Sequence, residues 1–295
     1  MTAARTLWSL YERIHAVTYF SDEAAATATA AGYRGFWMGY FAQRAAPLGP
    51  VGPDVVAACF YGFHRSRVER ALPDAWGYAS PDAALRARLD GVDRALRRLW
   101  TAPSIEASMV AEAADLLWTA AQDADVTGRV LGAANQALPR PEQSHLALWQ
   151  ATTTLREQRG DGHIATLVAF DVSPVEAAAI KIAAHESDGT SLREGRGWPE
   201  ADWQRAEARL VDRGWLDDSG VLTTDGTRAH EEIEARTDQV AASPWEAIGP
   251  EATDRATELL RPLVAPILAA DLIPARNPIG VPLPGATDSP QRADT

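Results

Sequence analysis

The chain has 295 residues, 46% of them hydrophobic, enough for two ordinary domains that each bury a core. No apolar run approaches the roughly 20 residues of a membrane helix, and Cys59 is the only cysteine, which excludes a disulfide framework and a cysteine-based zinc site. The net charge of −12 is uneven: residues 1–140 balance 14 Arg against 14 Asp and Glu, whereas residues 141–295 set 14 Lys and Arg against 26 Asp and Glu, a poor surface for phosphate.

In chain order, "IHAVTYFSDEAAA" (14–26) places His15 before a helix that starts after Ser21. "GYRGFWMGYFAQRAAPLGP" (32–50) is the most aromatic stretch. Tyr33, Trp37, Tyr40 and Arg44 follow helical spacing, with Phe36 and Phe41 beside them. Such a stripe packs a core or, with Phe60, Tyr61, Phe63 and His64 nearby, walls an apolar ligand pocket. "LPRPEQ" (138–143) reads as a hinge. "LREQRGDGH" (155–163) then sets Arg156, Arg159, Asp161 and His163 around two glycines. Arginine holds a carboxylate or phosphate bidentately, and Asp161 can orient His163 or pair with Arg159. The alternative is a helix end with ordinary surface ion pairs.

Ser173-Pro174-Val175-Glu176 is a capping box with Pro at the first helical position, opening a helix to about Glu186. A short helix follows around Ser191–Gly195. Another opens at Trp198-Pro199, sets Trp203, Ala206 and Leu210 on one face, and stops at Gly214. "WLDDSGVLTTDG" predicts a hairpin, and Thr224 starts a long helix through about Ala241. This is the order of a winged helix-turn-helix. Its expected recognition helix, 199–213, carries Glu200 and Asp202 in the first turn, and the wing tip is Asp217-Asp218-Ser219-Gly220. Both repel phosphate, so DNA is disfavoured as a partner, and Arg205, Arg209 and Arg213 read as a solvated face. The Pro-rich end, 273–295, predicts an extended or disordered tail.

The chain also repeats itself. His15 aligns with His163, Glu23-Ala24-Ala25-Ala26 with Glu176-Ala177-Ala178-Ala179, Trp76 and Trp100 with Trp215 and Trp245, and 111–126 with 254–273. Four matched blocks in one order point to an internal duplication.

"RLVDRGWLDDSGVLTTDGTRAHEEIEARTD" (209–238) resembles the wing and following helix of MarR-type regulators, with their Leu-x-x-x-Gly-Leu/Trp phrase, turn and Leu-Thr-x-x-Gly. The stretch "LWQATTTLREQRGDGHIATLVAF" (148–170) is similar to a group of actinobacterial winged-helix proteins of this length. The MarR-like signal covers roughly 144–272 and reaches residues 1–140 only through the repeat. MarR proteins are homodimers joined by terminal helices, so the resemblance implies that a duplicated chain holds the pseudo-dimer in one polypeptide. The expected fold is therefore mainly α, with two winged-helix-like halves: 1–140, degenerate and aromatic-rich; 141–272, MarR-like; and the tail 273–295.

No nucleophile elbow, phosphate-binding glycine loop or dinucleotide fingerprint is present, no histidine spacing supports a metal, and no cofactor is expected. The expected function is binding of an organic small molecule, aromatic or apolar, between the halves. His15, Tyr33, Trp37, Tyr40, Phe41, Arg44, Phe63, Arg159, Asp161 and His163 are the candidate ligand-binding residues, with the two histidines facing a shared central space. The alternatives are a ligand-responsive transcriptional regulator that binds DNA, and a cofactor-free acid–base enzyme of secondary metabolism using the histidine pair. With no signal-peptide pattern at the start, a cytoplasmic location and no membrane partner are expected.

Overall fold

The computed structural model describes residues 2–274, 277 and 279–281. Short polar caps divide the chain into helices. Helix α1 (Ala3–Phe20) stops at Ser21, whose hydroxyl accepts from the Ala24 amide and so starts α2 (Asp22–Ala30). The aromatic stretch forms α3 (Gly35–Ala45). Short helices α4 (Pro53–Phe60), α5 (Arg65–Glu69) and α6 (Ala75–Tyr78) lead to α7 (Pro81–Leu99), which is capped by Ser80 with Pro at its first position. Helices α8 (Ala107–Gln122) and α9 (Val130–Gln136) precede the coil at 138–143.

Helix α10 (Ser144–Ala169) runs straight through Gly160 and Gly162. The glycines do not end the helix but admit a neighbour: a Cβ at Gly162 would lie 2.9 Å from Val240 Cγ2. The capping box at Ser173 forms both of its bonds and opens α11 (Pro174–Ala183). Helices α12 (Gly189–Arg196), α13 (Glu200–Asp212) and α14 (Thr224–Val240) follow in the order the sequence predicts. The predicted hairpin shrinks to one antiparallel bridge, Leu216–Leu222. The Asp217 carboxylate accepts from the Ser219 and Val221 amides, and Thr223 already caps α14, so no further strand pair can form. Helix α15 (Ser243–Ala269) kinks at Gly249, ahead of Pro250.

Three apolar clusters hold these helices. The first joins α1, α7, α8, α10 and α15, with Leu7, Ile14, Leu96, Leu117, Trp149 and Leu260 at its centre. It crosses the 138–143 coil, so residues on both sides share one core. The second packs α3 to α7 around Phe41, Phe60 and Leu72. The third lies under α11–α14, where Trp203, Leu210 and Ile233 anchor the helix-turn-helix. Most of the tail expected at 273–295 lies outside the described residues; within them, Ile273 joins the first core and the buried Asn277 side chain bonds Pro274 and Val281.

Candidate functional site

Three helices each set two polar groups one turn apart on the face they turn inward: His15 and Tyr19 on α1, Tyr40 and Arg44 on α3, Thr153 and Glu157 on α10. These pairs, with α2 and α7, line a partly open cavity of about 160 Å³. His15 is held at both ring nitrogens, 3.0 Å from Thr153 Oγ1 and 3.1 Å from Tyr19 Oη. Burial and then the Arg156 charge push its pKa well below the usual value, so the ring is neutral. Arg44 grips Glu157 with two bonds of 2.9 Å and donates to Tyr40 Oη at 3.1 Å. Burial alone would raise the Glu157 pKa, but the Arg156 and Arg44 charges outweigh it and hold the carboxyl ionised.

The cavity wall is also under-bonded. Tyr33 Oη, Gln43 Nε2 and Arg88 Nε are buried without a hydrogen-bond partner, although buried polar groups nearly always have one.

Of the sequence candidates, His15, Tyr33, Tyr40 and Arg44 line this cavity. Trp37, Phe41 and Phe63 stand one layer behind Tyr40 in an aromatic stack, with Phe41 and Phe63 centroids 5.0 Å apart. Arg159, Asp161 and His163 lie farther along α10 and do not line it. Arg159 pairs with Asp238 at 2.8 Å, and the Asp161 carboxylate accepts from the Gly132 amide at 2.9 Å instead of orienting His163. His163 Nδ1 lies 2.9 Å from Thr237 Oγ1 on α14. The two histidines therefore serve different helix contacts and share no central space. Arg88, Gln43, Thr153 and Glu157 are wall residues that the sequence reading missed. The signal for Arg88 was present: it sits in the buried stripe Ala84, Arg88, Val92, Ala95, Leu99 of α7.

In the helix-turn-helix, Ala201, Gln204, Arg205, Ala208 and Arg209 form the outward face of α13. Arg205 is 69% exposed and pairs with Asp202, while Arg209 pairs with Asp171 and Glu176. The turn from α12 to α13 is docked on the first half: the His64 amide donates to Arg196 O at 2.9 Å and Trp198 Nε1 donates to Gly62 O at 3.0 Å.

Among the described residues no cluster of three His, Cys, Asp or Glu side chains is placed to hold a metal, and no single helix is long and apolar enough to cross a membrane. No curated protein and no solved structure matches the chain. A model of a helix-turn-helix family matches residues 4–274, nearly the whole chain and both sides of the 138–143 coil. The protein belongs to that helix-turn-helix family.

Proposed function

We propose that the protein binds an organic small molecule in the cavity between α10 and the helices of the first half. One observation carries the reading: three buried polar groups without partners belong to residues that line one largely apolar cavity, which opens to solvent beside Phe36. Leaving such groups unbonded costs about 1–3 kcal/mol each, a cost that a ligand supplying acceptors would remove. Tyr19, Phe36 and Tyr40 give the space an aromatic side. Native mass spectrometry of the protein purified from its own host should show a retained mass that disappears on denaturation. A ligand-free spectrum, with no stabilisation by any extract fraction, would remove the proposal.

A regulator is the second reading. Family membership favours it, as does the exposed face of α13, where Gln204 and Arg205 stand outward as base-reading groups do, although Arg205 is held by Asp202. Selection of bound duplexes from random sequence should then yield a motif lost in Gln204→Ala, and added ligand should shift the affinity.

The same reading includes a MarR-like, duplicated origin. In support, α1 packs on α15 as α10 packs on α8, and α1 packs on α7 as α10 packs on α14. Ser21 and Ser173 cap the matching helices α2 and α11. Terminal helices α1, α8, α10 and α15 share the first core, where MarR-like protomers would join. Superposing 12–130 on 160–272 in a crystal structure should match α2 with α11 and α7 with α14; unrelated helix orders would discard the duplication.

A further inference from the structure

The two arginines on the cavity wall differ in one respect. Arg44 has its carboxylate, Glu157, in a bidentate grip. Arg88 has none: NH1 donates to Gln43 O at 3.1 Å and NH2 to Gln150 Oε1 at 3.4 Å, and its guanidinium lies over the Trp149 ring at 5.1 Å. Among the described residues no acid forms an ion pair with it, and Nε has no partner at all. Yet Arg88 is 5% exposed, and a buried cation without an anion is costly. Its sequence position makes the choice plainer still, since an apolar residue at 88 would complete the stripe of α7.

The ionised groups on the wall are Arg44, Arg88 and Glu157, one cation more than there are anions. Behind them Arg156 faces both Glu12 and Glu157. His15 is neutral. A monoanion balances the wall, whereas a doubly charged phosphate would leave a buried negative charge. Gln43 and Tyr33, 7% and 4% exposed, are the two further unpartnered donors. Their chemistry matches an acceptor-only group such as a carboxylate. The apolar part of the wall is Ala24, Ala25, Ala28, Phe36 and the tyrosine rings, with the hydroxyls of Thr18, Thr29 and Thr153 among them. A cavity of about 150 Å³ holds one benzene-sized ring.

We infer that the cavity takes a compact organic monocarboxylate, with its carboxylate on Arg88 and its apolar body against Tyr19, Phe36 and Tyr40. This rests on the small-molecule reading above and narrows it to a charge and a size.

The test uses the full-length chain with benzoate and phenylacetate against benzamide and phenylacetamide, followed by calorimetry and by melting temperature. The acids should bind at least tenfold more tightly than the matched amides and should raise the melting temperature when the amides do not. Arg88→Met should lose about tenfold to a hundredfold in acid affinity while melting at or above the wild-type temperature, because an unpaired buried charge is gone. Tyr33→Phe, which keeps the ring and folds in either case, should weaken the acids and leave the amides unchanged. Equal binding of acids and amides, or of neither, overturns the inference, as does full acid affinity in Arg88→Met. Native mass spectrometry separates the two levels: a retained neutral molecule sinks the carboxylate and spares the small-molecule reading, whereas a ligand-free protein that neither the acids nor any extract fraction stabilises sinks both.

Discussion

Glu157 shows how much a single side chain can hold. It is buried, accepts two bonds from Arg44 and lies 2.8 Å from Arg156 NH1. Removing one partner of a buried pair strands the other, typically at about 3–5 kcal/mol. Glu157→Ala is expected to lose about that much in a denaturant titration, because Arg44 is left without a carboxylate while Arg156 keeps only Glu12; a loss under 1 kcal/mol would mean the pair is not desolvated. His163 sets a pH dependence of opposite origin. Burial drives its pKa down to about 4 from 6.5, so as pH falls the unfolded chain is protonated first. Its contribution is complete above pH 6.5 and is lost as pH falls through about 4. That is about 3 kcal/mol at most, reduced by the 22% of the side chain that meets solvent. His163→Gln should flatten the stability curve between pH 7 and 4 and leave ligand affinity unchanged. Asp161 runs the other way: burial raises its pKa to about 6, so its contribution is present below about pH 3.8 and lost as pH rises through 6. Asp161→Asn should therefore be at least as stable as wild type at pH 7 and steepen the acid limb.

At the scale of elements, the cavity depends on how closely α2 lies on α7. A Cβ at Gly91 would come within 2.6 Å of Thr27 Oγ1 and 2.7 Å of Ala24 Cα. The second of these is backbone and cannot swing aside. Ala24 also lines the cavity, so Gly91→Ala is expected to push the α2 wall away, cost about 1–3 kcal/mol by overpacking and change ligand affinity as well. Equal affinity together with lost stability would confine the effect to packing. Helix α10 is the opposite case. Its buried residues run from Leu146 to Leu167 and include Gln150, Thr153, Glu157 and Arg159. A helix enclosed on most sides must carry its own polar pairs inward, and these pairs build the site.

At the scale of the whole molecule, the first core draws on α1, α7 and α8 from before the 138–143 coil and on α10 and α15 from after it. Residues 1–140 and 141–295 expressed separately are each expected to aggregate or remain molten, and the full chain to melt in one transition. Two resolved calorimetric transitions would contradict this. Charge acts at the same scale. The outward basic groups of α13 are already paired, Arg205 with Asp202 and Arg209 with Asp171 and Glu176, and Glu200, Asp217 and Asp218 add further negative charge to the helix-turn-helix. Affinity for random duplex at physiological salt is expected to be weaker than the usual range of about 10⁻⁴–10⁻⁶ M. Tight, salt-sensitive binding would show that the first-half arginines supply the missing positive surface.

The residues by themselves determined the helices α11 to α14. Ser173 with Glu176, Pro174, the Trp203–Ala206–Leu210 spacing and the Thr224 start are local signals, and local hydrogen bonds and periodicity act within one or two turns. They also determined Tyr33, Tyr40 and Arg44 on the cavity wall, because an aromatic stripe with an arginine one turn on is visible in one segment; His15 lines the cavity too, but its signal in the sequence is the match to His163, which the packing places elsewhere. Only the tertiary structure decided that His163 faces Thr237 and not His15, that Asp161 caps a backbone amide of α9, and that Glu157 meets Arg44 across 113 positions. It alone set Arg88 on the cavity wall with no acid paired to it. Whether a charged side chain is paired depends on which distant helix arrives beside it, and nothing within a turn of Arg88 records that.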